Sequence, residues 1–356
     1  MRESEQVAWG VLGAAGVAHR RFLPALRSAA NARLVVAASR RLERAEGLVA
    51  AAGQGRAVDS YDEVLKDQSV EAVYIPLPNA LHHHWTRRSL EAGKHVLCEK
   101  PVALSVADAE DLAEAARSAG RVVMEGFMYR LHPQYEPARW RPLLSRLGAL
   151  RTMNVRLSFP FNRPGDIREN PALGGGALWD IGCYCLDSLC WQLGSPLDVH
   201  AMGEVRGGCN WTTAVQLRFG DGVVGSCWWS FAGPLDQRMT LVGEHGTLEL
   251  DSPFRASGPA TGRLEIDGST EILSLPSDDC FRREIEHFGA VVRGTARPAI
   301  PLSDSARWLA VAETVDAQVT RVADPSVTRQ PPRAPESTGR STDAVEGPRA
   351  TNPVPE

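Results

Sequence analysis

Hydrophobic and polar positions follow one pattern in the first part of the chain and a different one afterwards. Between Val7 and Glu125, short apolar runs such as Val7–Leu12 and Leu34–Ala38 alternate with stretches of helical period such as Arg41–Ala52. Continuous apolar runs are typical of strands buried on both faces, and strands that alternate with helices build parallel sheets. The first part is therefore predicted to be a parallel sheet with helices on both faces.

The second part has strands of another kind. Residues Arg151–Phe159 alternate between apolar and polar positions, and one clear helix follows at Ala177–Leu193. Short strands separated by turn signals such as Gly220-Asp221-Gly222 then dominate, before two more helical patterns at Phe281–Arg293 and Ser303–Val322. Alternation of this kind predicts a second α/β domain with a mostly antiparallel, open sheet that has helices on one side.

Three regions follow from these patterns. We place the first domain at residues 1–126 and the second at 127–323. Residues 324–356 are rich in Pro, Arg, Ser and Thr without periodicity, and are predicted to be a disordered tail.

Composition and charge exclude several classes of function. The net charge of −4 and the scattered arginines give no basic face for a nucleic acid. No apolar run reaches the roughly 18 residues of a membrane span, and the polar N-terminus lacks a secretory signal. The seven cysteines fit reduced thiols in a cytoplasmic protein. His82, His83 and His84 are consecutive on a predicted helix and point about 100° apart, so we expect no metal site.

The first strand ends in a small-residue turn that matches a dinucleotide fingerprint. Gly13, Ala15 and Ala18 take the three glycine positions of that fingerprint, although Ala15 adds a methyl group that faces the phosphates. Small residues let the backbone N–H groups and the next helix reach a pyrophosphate. The predicted contacts are Gly13, Ala14, Ala15, Gly16, Val17 and Ala18. The alternative is a strand–helix turn that binds nothing.

The end of the second strand indicates which dinucleotide is bound. An enzyme specific for NAD usually carries Asp or Glu here for the ribose hydroxyl, whereas this chain has Ser39, Arg40 and Arg41. A serine and two guanidinium groups suit a 2′-phosphate, so we predict NADP in preference to NAD. Alternatively, the two arginines are solvated residues at a helix start.

Further motifs lie where the predicted strands and helices begin or end. They are Pro76-Leu77-Pro78-Asn79 with His82, then Glu99-Lys100-Pro101, and then a glycine run followed by Asp180, Gly182 and Tyr184. In this order, and over roughly residues 7–320, the chain closely resembles the Gfo/Idh/MocA family, named for glucose–fructose oxidoreductase and inositol dehydrogenase. The resemblance implies a Rossmann domain joined to a mostly antiparallel α/β domain.

The resemblance also implies roles for individual residues. Lys100 would lie beside the nicotinamide and the reacting carbon, and the other cofactor contacts would be Pro76, Leu77, Pro78, Asn79, His82 and Glu99. Many members have a histidine where this chain has Tyr184. In having tyrosine there, the chain resembles the subgroup of NADP-dependent D-xylose dehydrogenase, dihydrodiol dehydrogenase and glucose–fructose oxidoreductase. Tyr184 would exchange a proton with the substrate oxygen while Lys100 polarises the carbon–oxygen bond. Asp180, four residues earlier on the predicted helix, would either bind substrate or orient Lys100.

These observations predict an NADP-dependent oxidoreductase that moves a hydride to or from a carbon–oxygen centre of a sugar or cyclic polyol. Two alternatives remain open, namely a ketoreductase acting on a nucleotide-linked ketosugar and a non-catalytic NADP-binding sensor. Further candidates for the substrate cleft are Tyr129, Arg130, Arg168 and Trp179. The open sheet of the second domain, which carries Trp228-Trp229, would join subunits into a homodimer or homotetramer.

Overall fold

The first sheet contains six parallel strands. The computed structural model describes residues 6–254 and 260–322. The strands lie in the order β3-β2-β1-β4-β5-β6, and every neighbouring pair is parallel. Their bounds are β1 Val7–Leu12, β2 Ala32–Ala38, β3 Arg56–Val58, β4 Ala72–Ile75, β5 His95–Glu99 and β6 Val123–Gly126. Chain order reverses between β1 and β4, which is where sheets of this kind bind ligands.

Five helices accompany this sheet. They are α1 Leu23–Ser28, α2 Leu42–Ala52, α3 Tyr61–Lys66, α4 His82–Glu91 and α5 Val106–Ala119, with a π-helical turn at Ala18–Phe22 that runs directly into α1. The sequence analysis missed β3 and α3. Each is short, and β3 starts with an exposed arginine, so neither gives an apolar run or a helical period to detect.

The second sheet has eight strands in the order β14-β13-β12-β11-β7-β10-β9-β8. Strands β7 and β10 pair in parallel, and the other neighbouring pairs are antiparallel. The bounds are β7 Leu150–Ser158, β8 Asp198–Arg206, β9 Cys209–Arg218, β10 Val224–Ser230, β11 Asp236–Gly243, β12 Gly246–Leu250, β13 Ala260–Ile266 and β14 Ser269–Leu275. The predicted fold class, a parallel sheet followed by a mostly antiparallel one, is confirmed.

Four further helices are α6 Pro137–Leu147, α7 Cys183–Leu193, α8 Cys280–Val292 and α9 Leu302–Val322. Helices α7 and α9 pack on one face of the second sheet, so Trp229 is fully buried while Trp228, on the opposite face of β10, stays partly exposed. Helices α8 and α9 also reach back to the first part of the chain, where α8 contacts α1 and α9 contacts α5.

The predicted tail at residues 324–356 lies outside the described residues. Within the described part of the chain, no helix combines the length and the apolar character needed to cross a membrane.

Candidate active site

The turn after β1 has a shape that only glycine permits at its first position. Gly13 has a φ of +117°, and a Cβ there would lie 2.6 Å from Leu77 Cδ2. The N–H of Gly13 donates to the carbonyl of Ala38 at 2.9 Å, which places the turn against the end of β2. Ala14, Ala15, Gly16 and Val17 are at least partly exposed. Because the first N–H groups of a helix have no partner within it, this exposed turn fits a pyrophosphate.

Ala18 has a different place from the rest of the turn. It is fully buried at the start of the helical segment, so its small side chain permits close packing of helix and strand. We therefore assign Ala18 to the packing of helix against strand, which is the role of the third position of the fingerprint, rather than to the predicted cofactor contact.

Arg20 is a cation at this turn that the motif did not reveal. A Cβ built on Gly16 would lie 2.9 Å from both terminal nitrogens of Arg20, so the guanidinium lies over the exposed turn. The signal in the sequence is its spacing, since four residues is about one helical turn. The sequence analysis did not single out Arg20.

The loop after β2 presents the polar groups predicted for a 2′-phosphate. Ser39 is mostly buried, and its hydroxyl oxygen accepts the N–H of Arg41 at 3.4 Å. Arg40 and Arg41 are exposed at the carboxyl end of the sheet. Two exposed guanidinium groups beside a fixed hydroxyl fit a phosphate dianion.

The three predicted catalytic residues lie together. Lys100, directly after β5, donates from Nζ to the main-chain oxygen of Asp180 at 2.7 Å, and Nζ lies 3.4 Å from Asp180 Oδ1. The same nitrogen is 5.1 Å from the centre of the Tyr184 ring. The Lys100 side chain retains 13% exposure, and Tyr184 is partly exposed. An ammonium from the first part of the chain thus lies over the ring of a tyrosine from the second part, whose hydroxyl donates to Met128 Sδ at 3.6 Å.

A local irregularity of the helix creates this arrangement. Asp180 lies in a π-helical turn, Leu178–Gly182, that precedes α7. Such turns are rare in proteins as a whole, but many of those that occur lie at functional sites. Gly182 ends the turn, and a Cβ there would lie 2.6 Å from the ring of Trp229, so only glycine lets the helix approach β10 this closely.

Burial and charge together set the ionisation of the three groups. Burial raises the pKa of the Tyr184 phenol, and the positive charge of Lys100 offsets only part of that rise. Burial alone would lower the pKa of Lys100, but its acidic neighbours, with the carboxylate of Asp180 among them, raise it above its usual value. For Asp180, Lys100 and Arg168 outweigh the effect of burial, so the pKa of this carboxyl is lowered. The site therefore holds an ammonium, a carboxylate and a neutral phenol at neutral pH.

Arg168 contacts the far side of the Asp180 carboxylate. Its Nε donates to Asp180 Oδ2 at 2.7 Å, and its Nη1 donates to Asp166 Oδ1 at 3.2 Å. Asp180 therefore bridges Lys100 and Arg168, which favours the orienting role for this carboxylate over direct binding of substrate. Arg168, predicted as a substrate contact, is engaged in fixing Asp180.

The predicted cofactor loop after β4 touches the second part of the chain. Asn79 donates from Nδ2 to the carbonyl of Gly174 at 2.8 Å, and a Cβ on Gly174 would lie 2.9 Å from Asn79 Cβ. Pro76, Leu77 and Pro78 run up to this contact. The loop therefore joins the glycine turn after β1 to the glycine run before Asp180.

His82 and Glu99 are enclosed beneath the loop. The two ring nitrogens of His82 lie 2.6 Å from the carbonyl oxygen of Pro101 and 2.7 Å from that of Leu77. Its ring is buried between main-chain groups, so the structure corrects His82 from a cofactor contact to a residue that positions two loops. Glu99 accepts the Tyr74 hydroxyl at 2.6 Å and lies 3.3 Å from the N–H of Lys100.

Two residues predicted for the substrate cleft point into the core instead. Tyr129 is fully buried and donates from its hydroxyl to Asp187 at 2.5 Å. Arg130 donates to Asp187 at 3.3 Å and to Asp304 at 2.7 Å, with its side chain 3% exposed. A buried guanidinium must be paired, so the prediction of both residues as substrate contacts is wrong. Trp179 is partly exposed, with its ring 6.5 Å from that of Trp308, and stays a candidate.

Across residues 6–254 and 260–322, no group of three or more His, Cys, Asp or Glu side chains is placed to hold a metal ion. The three consecutive histidines diverge, since His83 pairs with Asp111 at 2.8 Å while His82 is buried between carbonyl groups.

Comparisons with known proteins agree with this geometry. A family model described as "Oxidoreductase family, NAD-binding Rossmann fold" matches residues 7–127, and the "GFO/IDH/MocA C-terminal domain" matches residues 145–249. D-xylose 1-dehydrogenase (NADP(+)) 2 of Haloferax volcanii is 33% identical over 87% of this chain and 95% of its own length. The dTDP-3,4-didehydro-2,6-dideoxy-alpha-D-glucose 3-reductase of Streptomyces antibioticus is 35% identical over 90% of this chain and 98% of its own.

A solved structure supports the same relationship. KijD10, a 3-ketoreductase from Actinomadura kijaniata in complex with NADP and TDP-benzene, superposes with a TM-score of 0.82 at 31% identity. The match covers 88% of this chain and 98% of the other. The chain belongs to the Gfo/Idh/MocA family of oxidoreductases.

Proposed function

We propose that this protein is an NADP-dependent oxidoreductase that transfers a hydride to or from a carbon–oxygen centre of a sugar or cyclic polyol. The observation that carries the proposal is the contact of Lys100, Asp180 and Tyr184 at the carboxyl end of β5. The relative from Haloferax volcanii is named as an NADP-dependent xylose dehydrogenase, which supports both the cofactor and the substrate class.

The ionisation states of Lys100, Tyr184 and Asp180 indicate which step of the reaction each residue would perform. Bound NADP would supply or accept the hydride. In the direction of reduction, the Lys100 ammonium donates a hydrogen bond to the substrate oxygen and stabilises the negative charge that develops there. The neutral Tyr184 phenol gives its proton to that oxygen, so hydride and proton together convert carbonyl to alcohol. Asp180, fixed by Arg168, holds the ammonium in place.

Reduction of a nucleotide-linked 3-ketosugar is the second candidate. KijD10 is a 3-ketoreductase and the Streptomyces relative is named as a 3-reductase of a dTDP-linked sugar. A phenol that is neutral at pH 7 is the form that a ketone reduction needs. A non-catalytic sensor is less well supported, because such a role gives no reason to bring Lys100 and Tyr184 together.

The experiment is a paired screen of the purified protein. Oxidation of D-xylose, other aldoses and cyclic diols with NADP is compared with reduction of a nucleotide-linked 3-ketosugar with NADPH. Turnover of an aldose or diol supports the first candidate, and turnover of the ketosugar alone supports the second. NADPH binding without turnover of either class would favour the sensor.

Lys100→Met tests the site itself. Without the ammonium, turnover should fall by a factor on the order of 10²–10³ or more, because nothing then stabilises the substrate oxygen. NADPH affinity, measured by fluorescence titration, should stay within a few-fold. A variant that retains wild-type turnover would contradict the assignment.

We also propose that two copies associate through the face of the second sheet that carries Trp228, and that the protein is cytoplasmic. The open face supports the first point, since α7 and α9 cover only the other side. The second point is supported by seven free, buried cysteines. Domains at residues 1–126 and 127–323 remain our proposal for the cofactor and substrate parts of the chain.

A further inference from the structure

Glu125 is a buried carboxylate that the proposed reaction does not use. It lies in β6, beside Cys98 of β5, and is fully buried. Three donors converge on its two oxygens, which is the number that an ionised carboxylate accommodates readily.

One of these donors belongs to the segment that carries Lys100. Glu125 Oε1 accepts the N–H of Val102 at 2.9 Å, two residues beyond Lys100. The neighbouring residue, Gly126, also approaches this segment closely, because a Cβ there would lie 3.1 Å from the carbonyl of Cys98 and 3.3 Å from Glu99 Cα. The end of β6 therefore supports the backbone on both sides of Lys100.

The other two donors belong to α9. Glu125 Oε2 accepts the Ser305 hydroxyl at 2.6 Å and the Trp308 indole N–H at 3.2 Å. Both side chains are fully buried. Helix α9 packs against α7, the helix that carries Tyr184. A single carboxylate thus joins the backbone after Lys100 to the helix that supports the phenol.

We propose that Glu125 is a positioning residue for the reaction. Its carboxylate acts as a clamp, which here means the three hydrogen bonds that join the Val102 N–H to Ser305 and Trp308 of α9. The clamp keeps the ammonium of Lys100 at the distance from Tyr184 that proton and hydride transfer require. This inference rests on the proposed function. Glu125 is fully buried and both of its oxygens are occupied by protein donors, so its effect should appear in kcat rather than in cofactor affinity.

The ionised form of Glu125 suits all three contacts best, because each of them donates a hydrogen to one of its oxygens. Burial raises the pKa of this carboxyl, and its hydrogen bonds to Ser305, Val102 and Trp308 hold it to about 7. The titratable groups that interact with it from the packed elements are Asp187 and Cys183 of the α7 helix and Cys98 of β5. Protonation would add a hydrogen to an oxygen that must accept one, which weakens the clamp.

The test replaces Glu125 by glutamine and compares it with a matched control. Glu313→Gln is the control. Glu313 lies on α9, and its carboxylate also accepts a backbone N–H, that of Val106, at 2.8 Å, but this contact is exposed to solvent. Each variant is assayed for kcat, KM and NADPH affinity across pH 6–9, with whichever substrate the screen identifies. Amide hydrogen exchange of a peptide spanning residues 100–104 is measured in the absence of substrate.

The expected result is a kcat at least about tenfold lower for Glu125→Gln, with NADPH affinity within about threefold. The rise of wild-type kcat as pH increases through about 7 should be lost in this variant, and exchange at Val102 should be faster. Glu313→Gln should behave like the wild type. Unchanged kcat, pH profile and exchange in Glu125→Gln would overturn the proposal.

The proposal stays testable if Glu125→Gln does not fold or if the wild type shows no turnover. If Glu125→Gln does not fold, Ser305→Ala, which keeps the carboxylate and its bond to Val102, replaces it, and a reduced kcat supports the clamp while wild-type kcat refutes it. If the wild type turns over nothing, the proposed function fails, and the exchange measurement alone tests the clamp. Faster exchange at Val102 then supports it, and unchanged exchange refutes it.

Discussion

At the scale of single residues, ionisation state decides what the phenol can do. A tyrosine ordinarily titrates near 10, and burial raises the pKa of Tyr184 further despite the nearby ammonium. Tyr184 is therefore a proton donor at neutral pH. In the direction of oxidation it would first have to lose this proton, which the positive charge of Lys100 favours. The site as it stands is suited to reduction.

Tyr184→Phe removes that proton and keeps the ring. We expect kcat for reduction to fall by roughly 10²–10⁴, while NADPH affinity changes little, because the ring still packs against Phe127. Steady-state kinetics with NADPH measures this. Tyr135→Phe is the control, since its hydroxyl donates to the carbonyl of Pro253 in the core. An equal loss of kcat in both variants would contradict the assignment.

Arg130 tests the corrected role of a buried cation. Arg130→Ala leaves Asp187 without its charged partner in the core, so the free energy of unfolding should fall by about 3–5 kcal/mol. Urea denaturation measures the change. Arg117→Ala, which removes an exposed pair with Glu114, should cost less than about 1 kcal/mol. A stable Arg130→Ala protein with a raised substrate KM would instead restore the substrate-contact prediction.

At the scale of elements, the ends of strands determine which groups meet the ligand. Parallel strands deliver their carboxyl ends to one edge, so the turn after β1, the loop after β2 and the Lys100 segment after β5 share it. The motifs could be found from sequence because each follows directly on an apolar run. Arg20 was missed, because its spacing from Gly16 becomes informative only once a helix is known to start at this turn.

The loop after β2 makes a prediction about cofactor choice. Replacing Arg40 and Arg41 together by alanine removes charge-assisted contacts worth about 1.5–3 kcal/mol each, so kcat/KM with NADPH should fall by roughly 10²–10⁴-fold while that with NADH stays constant. Parallel kinetics with the two cofactors measures the ratio. Arg27→Ala, an exposed arginine on α1, is the control. An equal loss with both cofactors would argue against recognition of a 2′-phosphate.

At the scale of the whole molecule, the second sheet has two unlike faces. Helices α7 and α9 cover one face, and the other carries Trp228 with Arg156 and Arg238, both of which form ion pairs. Aromatic residues and arginine are enriched in protein–protein interfaces, so this is the face that the proposed association of two copies would use.

Trp228→Glu tests this face. If the face joins copies of the chain, the wild type should sediment as a dimer or tetramer, and the variant should sediment at half that mass or less, because a carboxylate would be buried without a partner. Leu42→Glu, an exposed apolar residue of α2, is the control and should leave the mass unchanged. A wild-type protein that sediments as a monomer would rule out this assembly.

The sequence alone determined the two kinds of sheet and most of their strands and helices, and it supplied Lys100 and Tyr184 as the proposed catalytic pair, because burial imposes a period on nearby residues and motifs follow strand ends. Only the tertiary structure decided that Asp180 bridges Lys100 and Arg168, that Tyr129 and Arg130 face the core, and that Glu125 joins β6 to α9. These contacts link residues as far apart as Glu125 and Trp308, 183 positions away. A local pattern specifies whether a side chain is buried, whereas its partner depends on which elements pack together.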